Sequence, residues 1–230
     1  MKKLTLLSLI CIMFLTALEK PSKVVPFLRP IVSGLAEHTN VPVLLPAYWK
    51  GQKAKKHTSV IVNAYENGYM IYFVSTDKPY RANDPAIYHP PESKRVGELS
   101  GNVGTMIPSD RLSGLVFYKK KDGAKLWIQP WIRSVIYAKR GPWSMHFDGD
   151  NGDEPYQQAV DLFKAMKKVN WLKNKDIHEG YISVIGTRLD AYTNIAWDTG
   201  DGFVYNFFYK GPIKNAVKIV DSLQYVEYKP

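Results

Sequence analysis

Cysteine occurs once in the chain, as Cys11, inside an apolar run near the N-terminus. A body without cysteine has no disulfide, no cysteine nucleophile and no thiolate metal site. Its stability must come from a conventional core, which a chain of this length can build. The histidines His38, His57, His89, His146 and His178 never stand in a His-x-x-x-His or His-Glu-x-x-His spacing, so no local zinc site is on offer. No serine occupies a Gly-x-Ser-x-Gly elbow. No glycine-rich loop presents backbone N–H groups to a phosphate. These absences remove the enzyme classes that local motifs announce; a triad assembled from distant residues stays open. After Leu18, no apolar run approaches the ~20 residues of a membrane-crossing helix.

The N-terminus is the most informative stretch. Met1-Lys2-Lys3 is basic, and Leu4 to Leu18 is apolar apart from Thr5, Ser8 and Thr16. That is the pattern of a secretory signal peptide. A cut after Ala17 would place bulky Leu15 where a small residue is wanted, so an uncleaved anchor is the alternative reading. Ile10 before Cys11 argues against a lipoprotein. Residues 1–18 therefore read as a signal peptide or anchor. Glu19 to Pro30, with Pro21, Pro26 and Pro30, reads as a tether, because proline fixes φ and opposes regular structure. Residues 31–230 read as a single globular domain, exported to the periplasm, secreted, or held at the membrane. The formal net charge is +10, of which Lys2 and Lys3 supply two. Such a balance favours acidic partners, an anionic envelope polymer, an anionic membrane surface or, least favoured, nucleic acid; the competing reading is a bias for solubility alone.

Strand signals dominate the body. Thr58 to Tyr65 and Gly68 to Ser75 flank a turn at Glu66-Asn67-Gly68, where Asn and Gly accept positive φ. VPVLLPAYW, Val41 to Trp49, has two prolines inside an apolar run, which fits an edge strand or an extended segment crossing the core. Pro30 could open a short helix over Ile31 to Glu37. A short strand is expected at Ala86 to Tyr88. Arg95 to Ile107 is expected to hold one or two strands, with a turn at Ser100-Gly101-Asn102. Lys119 to Gly123 joins Leu115–Tyr118 to Ala124–Gln129. Further strands are expected at Ser134–Ala138, Trp143–Phe147, Tyr181–Ile185, Ala191–Trp197, Phe203–Tyr209 and Tyr225–Tyr228. Apolar residues recur at helical spacing over 154–169 and 213–223. No alternating βαβ pattern appears. The fold expected is α+β: an antiparallel sheet with these two main helices packed on one face. NGYMIYFVS (67–75) and DGFVYNFFY (201–209) echo each other, in a form that antiparallel hairpins commonly share.

The closing text TNIAWDTGDGFVYNFFYKGPIKNAVKIVDSLQYV resembles the end of a broad family of bacterial exported or membrane-anchored domains of unknown function. Some members form the outer part of anti-sigma-factor-like proteins. VPVLLPAYW is similar to that family's extended entrance segment. About a quarter of the chain is covered, and the family's typical lipoprotein cysteine is missing. The resemblance implies an exported binding or sensing module and carries over no active site.

Two constellations could carry chemistry. FDGDNGDEPYQQ gathers Asp148, Asp150, Asp153 and Glu154. Asp148, Asp150 and Asp153 could supply oxygen ligands to calcium, although the EF-hand spacing fails at Gly152 and Ala159. The competing reading is a turn at Asn151-Gly152 and a helix cap at Asp153. Asp148-Gly149-Asp150 also matches the short metal motif of sugar transferases, with no nucleotide-binding unit beside it. The second constellation is aromatic and basic. Trp127, Trp131 and Trp143, with Tyr118 and Tyr137, lie among Lys119, Lys120, Lys121, Lys125, Arg133, Lys139 and Arg140. On one sheet face, Trp127, Trp131, Trp143, Lys125 and Arg133 could stack on sugar rings or grip an anionic polymer. The competing reading makes the aromatics core and the lysines solvated turns. The function expected is a non-catalytic envelope domain binding an anionic or carbohydrate ligand. An envelope hydrolase and a calcium-stabilised module are its rivals.

Overall fold

The computed structural model describes residues 24–50, 57–88, 94–106, 114–129, 132–150, 153–170, 177–187 and 190–226. Strands come in chain order as β1 (Leu44–Pro46), β2 (His57–Tyr65), β3 (Gly68–Thr76), β4 (Lys94–Val103), β5 (Val116–Lys121), β6 (Ala124–Gln129), β7 (Ile132–Arg140), β8 (Trp143–Asp148), β9 (Glu179–Gly186), β10 (Ala191–Asp198), β11 (Phe203–Lys210) and β12 (Leu223–Tyr225). The helices are α1 (Val32–His38), α2 (Glu154–Met166) and α3 (Ile213–Asp221). Ten strands form one sheet in the order β2-β3-β4-β11-β10-β9-β8-β7-β6-β5, while β1 and β12 pair separately. Neighbours are antiparallel throughout except β8 and β9. That parallel pair follows from α2, which carries the chain back before β9 begins. The protein is thus α+β, dominated by a large, mostly antiparallel sheet.

From β6 onward one arrangement occurs twice. Three antiparallel strands are followed by a helix: β6-β7-β8-α2, then β9-β10-β11-α3. In each case the helix touches the second and third strands of its own unit, and the two helices touch each other. Helix α2 buries Ala159, Leu162, Phe163 and Met166, and α3 buries Ile213, Ala216, Val217 and Val220. Those are one-sided stripes, which set the docking of each helix. Both helices end earlier than the pattern over 154–169 and 213–223 suggests. Lys167 and Lys168 form a turn, and Leu223 leaves α3 to pair with Pro46.

Successive side chains on a strand point to opposite faces. Burial separates them here: Trp143, Met145 and Phe147 of β8 are buried, while Ser144, His146 and Asp148 are only half-buried. The first set defines a core face, which continues through Ile182, Ile195, Phe207 and Leu99. The second set defines an outer face.

The segment Val41–Lys50 runs along the core face and is pinned there by tyrosines. Tyr69 Oη accepts the Leu44 N–H at 2.9 Å. Tyr205 donates to the Pro42 carbonyl, and Tyr209 to the Lys50 carbonyl, each at 3.0 Å. Trp49 stacks on Phe73 with centroids 4.0 Å apart. The proline-interrupted run is therefore an extended segment across the core that forms β1 midway. Burial is the main cause raising the pKa of all three phenols.

Three local expectations are corrected. Ser100-Gly101-Asn102 is not a turn but the interior of β4, between β3 and β11. A Cβ on Gly101 would lie 2.6 Å from the Tyr69 ring and 3.0 Å from that of Tyr205. Its glycine marks close approach of two rings, not a change of direction. The echoed segments 67–75 and 201–209 lie on either side of this strand, with Tyr69 and Tyr205 both opposite Gly101. Ala86–Tyr88 belongs to a 3-10 turn, Pro85–Tyr88, started by the Asp84 carboxylate accepting the Ala86 N–H at 3.0 Å. Pro26–Ile31 is not tether but a 3-10 helix that buries Leu28 and Ile31. Residues 1–23, with the expected signal segment and the start of the 19–30 stretch, lie outside the described residues. Among the described residues no helix is long and apolar enough to cross a membrane.

Candidate functional site

The acidic stretch begins where β8 ends. Asp148 is half-buried, Asp150 and Asp153 are exposed, and Asn151 and Gly152 lie outside the described residues. Among the described residues, no group of three or more His, Cys, Asp or Glu side chains gathers as a metal site. Asp148, Asp150 and Asp153 are thus not brought together. Asp153 does stand at the N-cap of α2, but its backbone is already helical and its side chain makes no capping hydrogen bond. What fixes this corner is Gln158, which is fully buried and donates to the carbonyls of Asp148 and Gly186. It thereby ties together the C-terminal ends of the parallel strands β8 and β9. Gly149 lies so close to α2 that a Cβ there would meet that of Glu154 at 2.9 Å. The stretch is a packed strand-to-helix corner.

The aromatic and basic residues divide between the two faces. Trp143 is 1% exposed on the core face, against Gly180, where a Cβ would meet its ring at 2.5 Å. It is core, not ligand surface. Trp131 lies outside the described residues; Arg133 is in β7, with its side chain outside the described set. A bulge in β5 between Phe117 and Lys119 turns Tyr118 and Lys119 towards α2. There Lys119 Nζ sits 3.5 Å from the centre of the Tyr156 ring, and Tyr118 meets Tyr156 edge-on. These two secure the hairpin to the helix, as does Lys167, which donates to Asp122 in the hairpin turn at 2.6 Å. The Lys167 hydrogen bond is the main cause lowering the Asp122 pKa.

Trp127 and Lys125 remain, and both project from the outer face of β6. Cross-strand register supplies their neighbours. Phe117, Trp127, Tyr137, His146, Ser183, Asn194 and Phe208 stand directly opposite one another in a single row from β5 to β11. Phe117 and Trp127 meet edge to face with centroids 6.5 Å apart. His146 lies over Tyr137 at 5.0 Å, and its Nδ1 is 3.4 Å from Ser183 Oγ. Two residues along β6 and β7, and three along β5 where the bulge adds one, runs a second row, Lys120, Lys125 and Lys139, again directly opposite one another. All three lysines are exposed. At the far end of the same face Tyr192 and Phe208 stack at 5.8 Å, with Lys210 5.0 Å from the centre of the Tyr192 ring. The arrangement can stack flat rings and attract anions at once. Phe117 and His146 as members of the row escaped the sequence reading; their signal was strand alternation combined with a register that bulges set.

A groove of about 940 Å³ lies elsewhere, between α2 and α3. Lys164, Lys168, Lys214 and Lys218 line it together with Asp161 and Asp221. Its charges are mixed, and its lysines are those of solvated helix surfaces.

No family model matches the chain, and no curated protein matches it. Among solved structures, a crystal structure from Bacteroides thetaiotaomicron VPI-5482 at 1.50 Å is similar at 14% sequence identity, over 56% of this chain and 45% of that chain, with a TM-score of 0.15. This chain thus spans less than half of that structure's length, and at such a score the likeness carries no argument about fold or function.

Proposed function

We propose that the protein is an exported, non-catalytic domain of the cell envelope that binds an anionic carbohydrate polymer on the outer face of its sheet. The two main helices are read as covering the core face together, which leaves the opposite face to a ligand. The observation that carries this reading is the pair of adjacent rows, Phe117-Trp127-Tyr137 and Lys120-Lys125-Lys139, across β5, β6 and β7. Aromatic rings give sugar rings an apolar surface, and lysines supply charge without fixing one geometry. The basic and apolar leader Met1–Leu18 supports export, and the resemblance of the C-terminal text to exported sensing domains agrees with it.

The outer face also speaks for binding over hydrolysis. Ser183 and His146 are its nearest approach to a nucleophile and base, and the serine is buried. β9 is hydrogen-bonded on both sides, to β10 and β8. Its backbone N–H groups are therefore spent in the ladders and leave no donors for an oxyanion.

Affinity electrophoresis of the full chain tests the reading, in gels holding polygalacturonate, a neutral glucan or no polymer. Retardation by a polysaccharide, abolished in the Trp127→Ala/Tyr137→Ala variant, is the expected result. No retardation in any gel, or equal retardation of the variant, would refute it.

A further inference from the structure

The lysine row breaks a packing rule. Like charges directly opposite each other across antiparallel strands destabilise the sheet. Here three stand in succession, Lys120 opposite Lys125 and Lys125 opposite Lys139. Among the described residues none of the three has a carboxylate within ion-pair reach. Lysine is common on edge strands, where it blocks pairing with other chains. That explanation covers Lys120 in edge strand β5, but not Lys125 and Lys139, whose strands are interior. An arrangement that costs stability without a local return marks a functional site.

From these observations we infer that the ligand is a linear polyuronate, a chain of sugar rings carrying a carboxylate on each successive ring. This rests on the binding reading above and narrows it. The rows run across the strands, so their members repeat at the interstrand spacing of ~4.8 Å. A pyranose ring in an extended glycan advances by a closely similar length. A chain lying along the rows sets successive rings over Phe117, Trp127 and Tyr137; linked pyranoses turn about the chain axis, so the carboxylates that face the lysine side are met by the flexible ammonium groups of Lys120, Lys125 and Lys139. Because Phe117 and Trp127 meet edge to face, at most one of the two lies flat beneath the chain. A neutral glycan leaves the lysines unanswered. A polyphosphate answers them but has no ring to lay on the aromatics.

Calorimetric titration of the full chain with di-, tri- and hexagalacturonate tests this, with methyl-esterified hexagalacturonate, polyphosphate and single-stranded DNA as further arms. Affinity should climb steeply from dimer to trimer and little beyond, since three strands form the site. Esterification should abolish binding. Lys125→Gln and Lys139→Gln should each weaken the trimer about tenfold, the worth of one charge-assisted hydrogen bond. They should also raise the melting temperature slightly, a sign that a merely structural lysine would not give. Lys168→Gln, in the helix groove, should change nothing. Equal binding of the ester, or polyphosphate or DNA binding as tightly as galacturonate with Trp127→Ala without effect, would overturn the polyuronate. If another polysaccharide binds and Trp127→Ala abolishes it, the polyuronate falls and the outer-face reading stands. If no polysaccharide binds, both fall.

Discussion

Phe207 and Phe208 are neighbours in β11, yet they belong to different regions of the molecule. Phe207 is fully buried on the core face between Ile195 and Leu99. Phe208 is half-buried on the outer face and stacks on Tyr192. The same contrast separates Tyr205 and Tyr209, whose hydroxyls hold the 41–50 segment, from Tyr137 and Tyr192, which lie on the outer face. Aromatic content alone says nothing about function here. What an aromatic does is decided by which face its parity selects, and a strand delivers the two outcomes one residue apart.

The largest expected effect lies within that pair. Phe207→Ala should cost about 3–5 kcal/mol, through lost burial and a cavity. Phe208→Ala, by contrast, should cost less: about 0.5–1.5 kcal/mol for the stacked pair, beyond the smaller area that a half-buried ring removes from water. Urea unfolding of both variants checks the ratio, and equal costs would erase the distinction between the faces. Next comes Gly101→Ala, whose methyl group meets two tyrosine rings; overpacking of this kind costs about 1–3 kcal/mol.

A smaller effect isolates a single hydroxyl. Tyr205→Phe removes the bond to the Pro42 carbonyl and should cost about 1 kcal/mol. Its pH dependence has a definite sign. Burial raises the folded pKa of Tyr69, Tyr205 and Tyr209 above the ordinary phenol value of 10.0. The neutral phenol is therefore favoured in the folded state. This contribution is intact below pH 10 and is lost as pH rises from there towards the folded values. Stability of the wild-type chain should thus fall above pH 10, and Tyr205→Phe should fall less steeply. The smallest effect is on the outer face, where Lys125→Gln relieves like-charge repulsion and should raise stability by a few tenths of a kcal/mol.

Much of this architecture was legible in the chain. Alternation and turn residues mark the 58–75 hairpin and the three late strands, and helical spacing marks α2 and α3. Proline placement marks 41–49 as an irregular crossing. The failures have local causes. Gly101 looks like a turn because a glycine between polar residues usually is one; only the two rings meeting across β4 show otherwise. Leu28 and Ile31 lie in a proline-rich stretch that reads as tether, yet a 3-10 helix tolerates those prolines and buries both side chains. In sequence Trp143 looks like Trp127, because both are tryptophans among lysines. Separating them requires knowing which face each strand turns to the core. The lysine row is harder still. Lys120, Lys125 and Lys139 come from three strands, and two bulges shift the register that aligns this part of the sheet. Composition does not encode that alignment.

The most direct test of the central claim is hydroxyl-radical footprinting of the full chain with and without polygalacturonate, read residue by residue in a mass spectrometer. Binding on the outer face predicts protection of Phe117, Trp127 and Tyr137, with Tyr88 and Tyr225, exposed elsewhere, oxidised as before. Protection confined to other residues, or none while polymer is bound, would contradict it.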